Sequence, residues 1–216
     1  MTRTKYHESL DTLKSDITDM GKLAYEAIDH SIIALKEIDR ELAKEVIDGD
    51  QVIDDYEMKI EKSISQIIAR QSPTAKDMRL VTSCLKIAID IERMSDLAVN
   101  IAEIARDMKG DHVKPLVDIP KMAENARNML EQAMIAFAND DAKLAKETAE
   151  KDDAIDKAFY AIEKELIEMM ISDDSIITNT SHLLFVLRYI ERIGDHACNI
   201  CESIVYIVEG QREDLN

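Results

Sequence analysis

The sequence predicts an all-α protein: two tandem, similar three-helix bundles, six long antiparallel helices in all. Three observations carry that prediction. First, the composition suits helices. Among 216 residues there are 5 Gly, 3 Pro and 4% aromatics, while 33% are charged and 46% apolar. Sheets need more turn residues and more β-branched or aromatic side chains. Second, no stretch shows the apolar–polar alternation of a half-buried strand. Third, long passages are written twice. "IERMSDLAVNIAE" (91–103) returns as "IERIGDHACNICE" (190–202) with eight of thirteen positions identical. "LAKEVIDGDQVID" (42–54) returns as "LAKETAEKDDAID" (144–156) with seven of thirteen identical. The offsets are 102 for the earlier pair and 99 for the later one, so the second copy is three residues shorter, the loss falling between Asp156 and Ile190. A repeat this long is two copies of a small domain, not a solenoid unit.

The elements follow in order. Helix one is expected from about Thr4 to Glu37, helix two from Arg40 to Arg70, helix three from Thr74 to Met108. Thr74 and Asp77, just after Pro73, make a capping-box-like start for helix three. Gly110, Pro115 and Pro120 mark the linker between halves, with Pro120 suited to the first turn of helix four. The second copy runs to about Asn139, then from Asp140 to Ile171, then from Asp173 to Glu209. The domains expected are 1–110 and 111–216. Helices of about 30 residues would be roughly 45 Å long and, with short connections, pack as antiparallel bundles.

Charge and targeting signals narrow the function. The formal net charge is −17. Such a surface repels nucleic-acid backbones, and its carboxylates suit hard cations. The start, "MTRTKYHESLDTLK", has no apolar stretch for a signal peptide, and the apolar runs, such as "LLFVL" (183–187), fall far short of the roughly 18 residues of a membrane span. A soluble, cytoplasmic protein without a transmembrane segment is the expectation. Three cysteines, Cys84, Cys198 and Cys201, fit a reducing compartment. The C-x-x-C at 198–201 lies in a helical pattern whose first copy has Val99 and Ala102, so buried small residues are expected rather than a redox or zinc pair.

The chemistry-bearing residues are the recurring acids. With Glu92 at 0° and about 100° per residue, Asp96 falls at about 40°, Asn100 at about 80° and Glu103 at about 20°. These four form one oxygen-bearing stripe, and Glu191, Asp195, Asn199 and Glu202 repeat it. The middle helix carries Asp50, Asp54, Glu57 and Glu61; the second copy keeps Asp152, Asp156 and Glu163 but has Phe159 in place of Glu57. Facing stripes of carboxylates repel and raise one another's pKa values, a cost that a bound cation removes. Two readings stand. An acid stripe opposite an apolar face is what any soluble amphipathic helix shows. Its recurrence with the Asn included, beside small and apolar neighbours, puts metal binding on an equal footing with that reading. All-oxygen ligands admit Mg, Ca, Mn or Fe. Catalytic motifs are missing: there is no phosphate loop, no dinucleotide fingerprint, no nucleophile elbow and no Glu-x-x-His. A carboxylate-bridged metalloenzyme is the lesser alternative. His196 is expected as a satisfied edge histidine rather than an auxiliary ligand, and Arg93 and Arg192 as partners of acids on a neighbouring helix.

The doubled E-R-[MI]-[SG]-D-x-A-x-N-I-x-E signature resembles the PhoU family. So do Met20-Gly21, "LAKEVIDGDQVIDDYE", "QSPTAKDMRLV" and "LLFVLRYIERIGDHACNICE". The resemblance spans roughly residues 5–210. It implies two similar three-helix bundles and a non-enzymatic cytoplasmic regulator. Such a protein restrains phosphate uptake and the phosphate-starvation (Pho regulon) response. It acts between the phosphate ABC transporter, through its ATPase subunit, and a sensor histidine kinase, and would sit at the periphery of the inner membrane through those partners. A homodimer is implied as well. So are multinuclear iron or zinc clusters on Glu92–Asp96 and Glu191–Asp195, with Asp50–Asp54 and Asp152–Asp156 as facing pairs. A metal-free structural adaptor remains the alternative. The chain departs from symmetry at Ser95, where the second copy has Gly194, and at Phe159. The latter makes the two sites unequal in ligands.

Overall fold

The computed structural model describes residues 3–71 and 73–215, and every regular element among them is helical. The first half is α1 (Arg3–Glu37), α2 (Arg40–Gln71) and α3 (Ala75–Asp107). The second is α4 (Asp118–Asn139), α5 (Ala142–Ala149), α6 (Asp152–Ser172) and α7 (Ile177–Glu209), the last preceded by a 3₁₀ turn at Asp174–Ile176. Within each half the helices pack on one another; between halves α3 lies along α7 and α1 along α4. One continuous apolar core runs through both bundles, from Leu13 and Ile17 to Ile200 and Ile204.

Local chemistry explains the turns, and the repeat returns in them. Ile38 and Asp140 both adopt positive φ, 53° and 51°. The next residue bonds back alike in both: Asp39 N to Ala34 O and Asp141 N to Ala136 O, each 2.9 Å. The Asp that follows the left-handed residue then caps the next helix. Asp39 accepts from Leu42 N and Asp141 from Leu144 N, both at 3.0 Å. Thr74 caps α3, as its spacing to Asp77 predicts: its hydroxyl accepts from Asp77 N and donates to the Asp77 carboxylate. Gly21 permits the α1–α4 approach, since a Cβ there would stand 2.5 Å from Met134 Sδ.

The second half departs from expectation in its middle helix. The pattern predicts one helix over 140–171, but the chain breaks at Glu150–Lys151. Tighter bonds take over there, with Lys151 N on Thr148 O and Ala154 N on Lys151 O. The Cys198 thiol donates to the Ala149 carbonyl across from α7, giving that end carbonyl a partner. Among the described residues no helix is long and apolar enough to cross a membrane.

Candidate metal centre

In the first half, α2 and α3 bring five of the sequence-marked acids together. Asp50, Asp54 and Glu57 descend from α2; Glu92 and Asp96 stand on α3. Their proximity registers in ionisation. Burial pushes the Glu92 carboxyl up to about 7, reinforced by the charges of Asp96, Glu57 and Asp54 and opposed by Arg93. Asp50 is also raised, chiefly by burial and further by Asp54 and Asp96. Ser95, fully buried, holds Asp50 by donating its hydroxyl at 2.6 Å. Arg93 pairs with Glu92 at 3.3 Å and Asp96 at 2.8 Å. Those partners share its own helix, whereas a neighbouring helix was the expectation. Asp96 lies three residues on, the spacing that brings its carboxylate under the guanidinium, while Glu92 is the adjacent residue.

The second half repeats the cluster with different fittings. Asp152, at the first turn of α6, is only 4% exposed. Burial lifts its pKa to about 6, with Asp195, Asp156 and Glu191 adding to the rise. Glu191 is raised by burial and by Asp195 and Asp156, against Arg188 and Arg192. Arg188 bonds Glu191 at 2.7 Å, and its guanidinium lies 6.0 Å from the Phe159 ring that stands in place of an acid. No hydroxyl reaches Asp152 from position 194. Gly194 leaves room there instead, because a Cβ would lie 2.5 Å from Asp152 Oδ1. The Ser95/Gly194 difference thus sets how the half-buried Asp50 and the buried Asp152 are each held, beyond any effect on helix propensity.

The remaining stripe residues go elsewhere. Asn100 turns its amide onto the Asp96 carbonyl at 2.8 Å, and Glu103 meets Arg106 at 3.9 Å. Asn199 donates to Asp90 on α3 at 3.3 Å, and Glu202 accepts from Leu215 N at 3.1 Å. His196 is half-buried and bonds Asp90 at 2.9 Å, linking the halves rather than joining the acids. Asp90 is a hub that the repeat conceals, because its counterpart is Tyr189. All three cysteines are free and buried, and burial raises every thiol, Cys84 and Cys201 to about 12.

Fit to a cation can be judged from the atoms. Glu92 Oε2, Glu191 Oε2 and Asp152 Oδ1 are buried without a hydrogen-bond donor. Carboxylate oxygens short of hydrogen bonds among like charges, with Glu92 Oε2 met only by the 3.3 Å ion pair to Arg93, are the donor set that hard or borderline cations satisfy. As the side chains stand, no group of three or more His, Cys, Asp or Glu among the described residues converges to hold an ion. A cation would therefore have to turn carboxylates away from Arg93, Ser95 and Arg188.

Comparison with known proteins adds the lineage of this arrangement. The PhoU domain model matches twice, at residues 17–105 and 119–204. The chain is 34% identical to the "phosphate-specific transport system accessory protein PhoU homolog" of Clostridium acetobutylicum over 100% of both chains. It is 40% identical to the protein of the same name from Aquifex aeolicus, over 96% of this chain and 94% of that one. Two crystal structures share the fold. PhoU from Pseudomonas aeruginosa superposes with a TM-score of 0.93 at 32% identity, covering 95% of this chain and 100% of that one. The phosphate transport system regulatory protein PhoU from Streptococcus pneumoniae gives 0.91 at 30% identity, covering 97% and 99%.

Proposed function

The chain belongs to the PhoU family, and from that premise we propose that it is an accessory regulator of phosphate transport that restrains uptake and the phosphate-starvation response. The observation that carries this reading is the full-length match, in both repeats, to proteins named as phosphate-specific transport accessory proteins. The doubled acid clusters sit at corresponding places in the two halves. Regulation then runs through protein contacts, with the ATPase subunit of a phosphate ABC transporter and a sensor histidine kinase as partners, at the cytoplasmic face of the membrane. A homodimer belongs to the same reading.

The acid clusters are read as metal sites. Asp50, Asp54, Glu57, Glu92 and Asp96 would hold ions in the first half, and Asp152, Asp156, Glu191 and Asp195 in the second. A bound cation would neutralise these clusters and brace the helix pairs that carry them. A second reading, a metal-free adaptor, draws on Arg93, Ser95 and Arg188, which already serve several of these carboxylates.

Deletion and complementation test the regulatory role. Removing the gene should raise a phosphate-starvation reporter severalfold in phosphate-replete medium and deregulate phosphate uptake. Restoring the gene should reverse both. Unchanged reporter and uptake in the deletion strain would overturn the reading.

A further inference from the structure

A cleft of about 560 Å³ opens where α2 begins, α3 ends and α7 begins. It is lined by Arg40, Arg106, Asp107, Lys109, Thr178, Asn179 and His182. In a chain of net charge −17 this is an inversion: three fixed cations and an imidazole face a single carboxylate. That carboxylate, Asp107, is taken by Arg106 in a two-pronged contact at 2.8 and 3.0 Å. It also feels Arg40 and His182, which with Arg106 keep its pKa below the ordinary value. Arg40 and Lys109 therefore remain as surplus charge.

The cations are built in rather than scattered. Arg40 is tied by a 3.2 Å bond to the Met108 carbonyl, and Asn179 clamps the Lys109 carbonyl at 3.1 Å. His182 Nδ1 is buried without a hydrogen-bond partner. The internal repeat gives a separate indication. At the offsets that align the two halves, Arg40, Arg106 and Lys109 correspond to Ala142, Val205 and Val208. The bundle does not need cations there.

We propose that this cleft is a binding site for a small, multiply charged phosphate-bearing anion. Guanidinium forks, an ammonium and a hydroxyl are the donors that phosphate oxygens accept, and Arg suits their planar pairing best. The volume falls in the range of small-ligand sites. No Phe, Tyr or Trp lines the cleft, so it offers no platform for a nucleobase, and the ligand is orthophosphate or pyrophosphate. The proposal is independent of the regulatory reading, because direct binding tests it without any uptake measurement.

The experiment is calorimetric titration of the purified protein at about 0.15 M ionic strength, where long-range attraction is screened. Orthophosphate, pyrophosphate, sulfate and ATP are compared. One saturable site for orthophosphate or pyrophosphate is expected, with sulfate weaker; the tighter of the two phosphates identifies the ligand. Arg40→Ala combined with Lys109→Ala should weaken binding by about tenfold or more. Lys109→Gln, which removes only an exposed ammonium, should weaken it less and leave the thermal midpoint unchanged. Lys164→Ala on α6 should have no effect. Non-saturating heats, equal weakening by Lys164→Ala, or binding untouched by Lys109→Gln and the double variant would each overturn the site. ATP about tenfold tighter than pyrophosphate would overturn the ligand class.

Discussion

Asp152 Oδ1 lies 2.5 Å from the place where a Cβ on Gly194 would stand, while its counterpart Asp50 accepts a 2.6 Å hydrogen bond from Ser95, the residue equivalent to Gly194. The same helix crossing thus buries a carboxylate in two ways. At that position one half supplies a hydroxyl donor and the other supplies space. In both, the acid is held next to others on the facing helix, and this contrast sets how each half should respond to substitution.

Removing the hydroxyl should cost the first half stability. Ser95→Ala leaves the half-buried Asp50 carboxylate without its hydroxyl donor, at a cost of about 1 kcal/mol. Urea denaturation followed by far-ultraviolet circular dichroism measures it. Asp50→Asn in the Ser95→Ala background should recover part of the loss, since a neutral amide is cheaper to bury than an unpaired charge.

Acid should stabilise the metal-free protein before it harms it. Glu92 titrates at about 7 in the fold against 4.5 in a model peptide, and Asp152 at about 6 against 3.8. A raised carboxyl pKa means that the folded state binds the proton more tightly than the unfolded one. This contribution therefore grows as pH falls through the folded values and levels off below the unfolded ones. In EDTA the thermal midpoint should rise between about pH 8 and pH 5. Glu92→Gln combined with Asp152→Asn should flatten that rise, and an unchanged slope would refute the assignment.

Metal should act on the same groups with the opposite pH dependence, because ligands must lose their protons. Manganese, iron(II) or zinc at neutral pH should raise the thermal midpoint of chelator-stripped protein, and plasma emission spectrometry should count the bound ions. Glu92→Gln and Glu191→Gln should each remove the ions of their own half. Undiminished uptake in both variants, or none in the wild type, would favour the metal-free adaptor.

The second cluster should be improvable. Phe159 stands where the first half has Glu57, its ring beside Arg188 and edge-on to Tyr160. Phe159→Glu restores the missing oxygen donor and should tighten metal binding in the second half by roughly tenfold, read by competition with a chelating dye. The same change in a chain lacking Glu191 should gain much less.

The link between halves should also be measurable. His196 and Asp90 meet at 2.9 Å with about one sixth of each side chain exposed. His196→Ala strands Asp90 with only the longer Asn199 contact at 3.3 Å, and should destabilise the fold by about 1–3 kcal/mol in urea. His196→Gln, which keeps a donor, should lose less.

Much of this molecule was legible in its letters. Few glycines and prolines, the helical period and the doubled passages determined an all-α chain with two like halves, and the capping chemistry of Thr74 marked where α3 begins. The recurrence of Glu92, Asp96, Glu191 and Asp195 pointed to the clusters, because a period of 3.6 residues specifies which face of a helix a side chain occupies. Depth along the neighbour is a different quantity, and only the tertiary structure decided it. Asn100, Glu103, Asn199 and Glu202 share the stripe's face but sit further along their helices, where other groups take them up. The break at Glu150–Lys151, the space at Gly194 and the hub at Asp90 depend likewise on which residue stands opposite. Helical periodicity records one helix at a time, whereas a site is made at the crossing of two.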